Sequence, residues 1–436
     1  MLDLKQLNYL IMKAIYTLLI LLIPFVGFGQ YFENIYGNDW DDWGNSVIQA
    51  NDGGFVVIGA IDPGIGQPNL FVLKTDINGV QQWFYEYGDN NQRLNGYSIE
   101  KTNDGGYVLV GEIENIGSYI KTIVIKLNEN GEEQWSETYS YEGEIFGNFI
   151  GLSIKNTNDY GYVITGISST GVFILKIEEN GVESWRQETS QLQQTYAEVC
   201  DCILQTSDNG FLITGHNADG IFILKTNQNG TEQWRRIYDE ISAKQVYSIK
   251  KTEDGGYVLT GNSYSNEFNS EVFLLKTDFN GNIEWYNSFT FIGQPTGLDK
   301  GYTVEETSDN GFIITGHAGI SNSRVRVGLL KTDENGNKLW HKLFGESNFD
   351  YGASVLQTND DGYIITGSFF YQGYVFLIKT NEDGELTSTI EIPIQNKNKK
   401  LERTINLEGQ EINFKINQPF IEIYNDGSVE KKVIIE

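Results

Sequence analysis

Side chains able to do acid–base or metal chemistry near neutral pH are few in this sequence. It holds three histidines and two cysteines in 436 residues. His216 and His317 each end a similar segment, FLITGH and FIITGH, directly after its glycine. The equivalent positions of five further segments carry Ala60, Glu112, Ile167, Asn262 and Ser368. Imidazole titrates near neutrality and ligates metals through a neutral nitrogen. Glu112, His216 and His317 are therefore a candidate metal or acid–base set if their segments converge on one axis. Glu112, His216, Asn262, His317 and Ser368 together form a candidate ligand rim, with plain loop-edge residues as the alternative.

Cys200 and Cys202 lie in VCDCILQ, which reads as a strand. Residues i and i+2 of a strand share a face about 6.5 Å apart. That spacing is strained for a disulfide, with a labile redox pair as the alternative. Two cysteines are too few for a structural zinc site. Repeated D-x-N-G turns offer oxygen ligands, but lack the spacing and terminal bidentate acid of a calcium loop. No nucleophile elbow, phosphate loop, metalloprotease helix or cysteine–histidine signature occurs. No catalytic residue, cofactor or metal is assigned, with calcium kept as the alternative.

The elements that must position these residues follow from a repeat. A D-G-G-like turn recurs at Gly54, Gly106, Gly161, Gly210, Gly256, Gly311 and Gly362, seven copies with a mean period of about 51 residues. Each copy has a second glycine five residues later, at Gly59, Gly111, Gly166, Gly215, Gly261, Gly316 and Gly367. A lysine then precedes a glycine by five residues, as in Lys74 and Gly79 or Lys331 and Gly336, and in six copies a tryptophan stands nine residues after the lysine. These are Trp83, Trp135, Trp185, Trp234, Trp285 and Trp340; the seventh copy has Ser388.

Each unit reads as four short strands, a to d; in the sixth they are YTVEET, GFIITGH, GLLKTD and NKLWHKLF. The fold expected is all-β: a seven-bladed β-propeller of four-stranded antiparallel blades over residues 30–394. The seventh unit lacks its tryptophan strand, while QYFENIYG near the N-terminus resembles the end of a d strand. Phe32 lies 22 residues before Gly54, as Trp340 does before Gly362. Residues 31–36 are therefore expected to complete blade seven and remove the free sheet edges, with Leu386–Ile392 as the competing strand. The repeated glycines are assigned to left-handed turn positions. The tryptophan is expected to pack between blades, opposite Leu73 rather than Lys74 in blade one, with the lysine stem along the ring.

The stretch LLKTDENGNKLW resembles the tryptophan-docking repeat of pyrroloquinoline-quinone propellers and of the related outer-membrane assembly lipoproteins. The resemblance implies a propeller. The quinone enzymes usually have eight blades and a cofactor pocket, neither of which is recognisable here, so it implies the fold and not the chemistry.

Lys13 and the apolar run Ala14–Phe28 have the form of a secretory signal peptide, giving a segment 1–29 with Met12 as an alternative start. No later run is long and apolar enough to span a membrane. From residue 395 the composition changes. Leu401–Glu436, with LEGQEI, the Y-N-D-G turn and the closing VEKKVIIE, resembles the distal half of C-terminal sorting domains of type IX secretion in Bacteroidetes. The Pro-Asn-Pro motif frequent in their proximal half is absent. The resemblance implies a small C-terminal β segment at 395–436, the type IX machinery as partner, and a secreted or outer-membrane surface location.

The net charge is −28, which repels phosphate backbones and argues against nucleic acid as a partner. The a–b and c–d turns share one face and are short; the b–c and d–a loops share the other and vary. The variable face is therefore expected to carry the ligand, with Tyr264, Phe369, Phe370 and Tyr371 near it. The expected function is a monomeric binding or adhesion propeller for an extracellular glycan or protein. The alternative is an enzyme degrading an extracellular polymer, a polysaccharide hydrolase or lyase, on the same face.

Overall fold

The structure is a computed structural model. It describes residues 31–386 except 38–41, 63, 65, 90, 142–146, 190–201, 218, 267–268, 294–297, 322–323, 347–348 and 370–372, together with 401–406, 419–424 and 429–433. The segment read as a signal peptide, Cys200, Phe370, Tyr371 and residues 387–400 lie outside the described residues. The chain divides into two compact units, one ending at Leu386 and one beginning at Thr387.

Among the described residues of the first unit, strands form seven four-stranded antiparallel sheets. In blade one, strands a to d are Trp43–Gln49, Phe55–Ile61, Asn69–Thr75 and Gln81–Tyr87. Strands b and c are buried along their whole length, which explains their unbroken apolar runs FVVIGAI and NLFVLKT. Strand d reaches solvent and is polar between its aromatics, as in QQWFYEY. The core is divided into interfaces between neighbouring blades. Val56, Ile58 and Val72 of blade one pack with Leu109, Ile123 and Ile125 of blade two. Val57, Phe71 and Leu73 of blade one pack with Ile364, Val375 and Leu377 of blade seven, which closes the ring.

The N-terminal strand does complete blade seven. Phe32–Tyr36 pairs antiparallel with Tyr374–Thr380, from Phe32 opposite Lys379 to Tyr36 opposite Val375. Phe32 also takes the tryptophan's part. A Cβ on Gly131 would lie 2.9 Å from Trp83 of the preceding blade, one on Gly384 2.8 Å from Trp340, and one on Gly79 2.6 Å from Phe32. Each outer-strand aromatic thus docks on the c–d turn of the next blade. Its ring also meets an aromatic at the start of that blade's strand b: Trp83 lies 6.3 Å from Tyr107, Trp340 6.0 Å from Tyr363 and Phe32 6.3 Å from Phe55.

Three expectations are corrected. Trp83 stands opposite Lys74, not Leu73. The hairpin opens with Thr75 opposite Gln81, but a bulge then shifts the register by one residue. The extra residue, Gln82, turns its Oε1 to accept from Lys74 Nζ at 2.9 Å. Second, the glycine of the D-G-G turn is not the left-handed residue. That conformation falls on the residue before it: Gly53 and Gly105, but also Tyr160, Asn209, Asn310 and Asp361. Gly54 is required by close approach, since a Cβ there would lie 2.1 Å from the carbonyl oxygen of Thr75 and 2.6 Å from Lys74 Nζ. Third, the short spacing in VCDCILQ, whose described strand is Ile203–Gln205, does not prevent a disulfide. Cys202 is buried and its sulfur is disulfide-bonded, and Cys200 is the only other cysteine in the sequence.

The second unit contains a three-stranded antiparallel sheet of Leu401–Asn406, Pro419–Tyr424 and Val429–Val433. Among the described residues no helix is long and apolar enough to cross a membrane.

Candidate ligand site at the channel mouth

Strand a of each blade runs beside the axis from the variable face to the D-G-G turn, so its residues form layers around a channel. A bulge recurs in strand a, between Gly44 and Ser46, Gly96 and Ser98, Gly301 and Thr303, and Gly352 and Ser354. The second repeated glycine makes room for it: a Cβ on Gly59 would lie 1.9 Å from the Trp43 carbonyl oxygen, and one on Gly316 1.9 Å from that of Lys300.

The axial cavity has a volume of about 220 Å³ and is walled by Tyr97 and Tyr302, then by Ser46, Ser98, Thr303 and Ser354, then by Glu100, Lys155, Lys250 and Glu305. The hydroxyl layer stitches inner strands together. Ser98 Oγ accepts from the Ile154 amide at 3.4 Å, and Ser354 Oγ from the Val47 amide at 3.3 Å. The ionic layer consists of two pairs, Lys155 with Glu100 and Lys250 with Glu305, the latter at 2.7 Å.

Above these layers the mouth on the variable face is asymmetric. Blades five to seven contribute an aromatic group. Tyr302 lies 5.1 Å from Tyr247, 5.1 Å from the His317 ring and 6.1 Å from Tyr351. His317 meets Tyr351 edge-on at 5.4 Å. The Lys300 ammonium sits 5.9 Å from both the Tyr247 and Tyr302 ring centres. Blades one and two contribute a polar relay. Trp43 Nε1 donates to Asn95 Oδ1 at 3.0 Å, Asn95 Nδ2 donates to the Tyr97 hydroxyl at 3.2 Å, and Tyr97 hydrogen-bonds Glu112. Asn45 Nδ2 donates to the Gly96 carbonyl at 2.7 Å. Tyr97 of blade two also packs with Ile150 and Leu152 of blade three and Cys202 of blade four.

The five rim residues are not equivalent in three dimensions. Glu112 joins the relay, and burial raises its pKa against the opposing pull of the Tyr97 hydrogen bond and of Arg93. His317 joins the aromatic group. Ser368 is buried and donates to the Asp42 carbonyl at 2.9 Å, so it braces blade seven against blade one. Asn262 is fully buried, and its side-chain amide has no hydrogen-bond partner among the described residues. His216 is half-buried in the strand Phe211–Asn217. Among the described residues no three His, Cys, Asp or Glu side chains come together as a metal site, so Glu112, His216 and His317 do not converge. Phe369 is buried against Phe376, whereas Tyr264 is exposed.

The mouth residues that sequence reasoning missed all lie on strand a: Trp43, Asn95, Lys300 and Tyr351 eleven residues before the D-G-G glycine, and Tyr97 and Tyr302 nine before it. Superposing the repeats shows those two columns varying among aromatic, polar and aliphatic types. Which columns face the axis depends on the bulge.

No family model matches the sequence, and no curated protein matches it. Among solved structures the chain is similar to a protein of unknown function from Bacteroides caccae, with 12% identity and a TM-score of 0.41 over 59% of this chain and 93% of that one. It is similar to Sqt1 from Chaetomium thermophilum, with 9% identity and a TM-score of 0.45 over 80% of this chain and 100% of that one. It is also similar to the NanB sialidase of Streptococcus pneumoniae, with 10% identity and a TM-score of 0.45 over 84% of this chain and 72% of that one.

Proposed function

We propose that this protein is an extracellular glycan-binding propeller whose site is the channel mouth on the variable face. The mouth carries the proposal: Tyr247, Tyr302, His317 and Tyr351 beside Lys300, facing the Trp43–Asn95–Tyr97–Glu112 relay. Sugars present C–H faces that pack on aromatic rings and hydroxyls that need fixed polar groups, and this mouth offers both. A chain of net charge −28 disfavours phosphate polymers as ligands.

The signal-like run before residue 30 and the tail at 401–436 support export through the type IX machinery, to the medium or the outer-membrane surface. Deleting 401–436 should strand the protein inside the outer membrane, and unchanged release would refute that part.

A glycan array probed with the purified chain tests the ligand class. Tyr302→Ala and Tyr351→Ala are each expected to weaken binding about tenfold, or about 1.4 kcal/mol; binding that survives both removes the mouth from consideration. The enzymatic reading is favoured by one observation, the buried Glu112 with its raised pKa beside Tyr97. Turnover of a polysaccharide library that disappears in Glu112→Gln would establish it over simple binding.

A further inference from the structure

We infer that the axial channel beneath the mouth is a well for one neutral sugar residue, so that the protein recognises the end of a glycan chain rather than its middle. The inference rests on the mouth being the glycan site and adds the part of the glycan that it takes.

The first support is shape. Beneath the mouth lies a cavity on the axis, with Tyr97 and Tyr302 lining its upper part. A groove would let a polymer lie across the site; a well admits only what can enter end-on. The cavity of about 220 Å³ has room for roughly seven waters at about 30 Å³ each. That accommodates one pyranose ring with its hydroxyls and not two.

The second is polarity. Ser98 and Ser354 line the well and act as acceptors toward the neighbouring strands. Those bonds leave each hydroxyl proton available to donate inward. The lowest layer holds two ammonium and two carboxylate groups, already paired as Lys155–Glu100 and Lys250–Glu305. A neutral polyol can accept from the ammonium groups and donate to the carboxylates without separating either pair. A charged sugar would leave one member of a pair uncompensated in a partly buried site, which is costly. The lining therefore selects a neutral, hydroxyl-rich end group.

Saturation-transfer NMR on the purified chain tests this with D-glucose, D-mannose, D-xylose and D-glucuronate, each alone. Transfer to at least one neutral sugar is expected, falling about tenfold in Ser98→Phe, which fills the well. The double change Glu100→Gln with Lys155→Met keeps the side-chain lengths, removes one ion pair and is expected to weaken transfer likewise; it serves where Ser98→Phe does not fold. Absence of transfer to every neutral sugar, stronger transfer to glucuronate, or transfer unaffected by the well variants overturns the inference. The two failures are separable. Array binding lost in Tyr302→Ala but intact in Ser98→Phe leaves the mouth standing and removes the well. Array binding intact in Tyr302→Ala and Tyr351→Ala removes both.

Discussion

At the scale of single residues, the most repeated chemistry is structural. In every blade the strand-c lysine is buried and its ammonium meets the aspartate two residues before the D-G-G glycine, at 2.7–3.1 Å. Lys126, for example, is 3% exposed and donates to Asp104, to the Leu127 carbonyl and to Gln134. Asp104 keeps contact with water, at 45% exposure. Removing the two partners should therefore differ. Asp104→Ala strands a buried cation and should cost about 3 kcal/mol, whereas Lys126→Met leaves a solvated carboxylate and should cost about 1 kcal/mol; urea denaturation of the two variants checks the order. Partial burial opposes ionisation of Asp104 and Asp254, yet hydrogen bonds from lysine and threonine hold both at about 2; at Asp208 the Thr206 hydroxyl and then Lys225 do so. Because these values lie below the ordinary 3.8, the stability they contribute is complete above that pH and is lost as pH falls towards 2.

Asp299 behaves oppositely. It is fully buried, with Oδ1 accepting from the Gly319 amide at 2.7 Å, and burial raises its pKa to about 7. The folded state holds this proton while the unfolded state has released it, so stability falls as pH rises from 3.8 to about 7 and is level above. A shift of this size corresponds to roughly 4 kcal/mol at about 1.4 kcal/mol per unit. Asp299→Asn keeps the acceptor and removes the titration. Thermal melts across that window should show the variant gaining on the parent as pH rises, and parallel curves would refute the assignment.

At the scale of the element, the unit of construction is the blade with its outer aromatic docked on the next c–d turn. The turn glycine is doubly constrained there. Gly384 has φ of +73°, and a Cβ would lie 2.8 Å from Trp340. Gly384→Ala should therefore destabilise by about 2 kcal/mol or more, while the same change at Gly255, where a Cβ meets nothing within 4 Å, incurs only the backbone strain of its φ of +89°. Melting temperatures of the two variants measure the packing contribution. The four strands of a blade and their order were legible in sequence, because apolar runs and turn residues recur at a fixed period. The register of the c–d hairpin was not, because a one-residue bulge leaves no local mark in composition.

At the scale of the whole molecule, the ring is held shut by a strand from the opposite end of the chain. Phe32–Tyr36 covers the outer edge of Tyr374–Thr380, and the Tyr36 hydroxyl donates to the Gly79 carbonyl at 2.5 Å, joining blade seven to blade one. Deleting residues 31–36 should expose that edge and the aromatic seat on Gly79. The expected outcome is a lower melting temperature and association that grows with protein concentration, read by light scattering. A monomeric, equally stable deletion variant would show that closure does not depend on this strand.

The sequence alone determined the all-β class, the seven units, their four strands and the source of the closing strand, because each follows from period and pattern along the chain. It also singled out Glu112 and His317, since a position that varies within a constant repeat is visible without coordinates. Only the tertiary structure decided that these two join different groups at one mouth, that Ser368 braces blade seven against blade one, and that strand a supplies Trp43, Tyr97, Lys300 and Tyr302. The physical reason is that a channel-facing side is defined by a bulge and by neighbours about 50 residues away in sequence, neither of which is written in local periodicity.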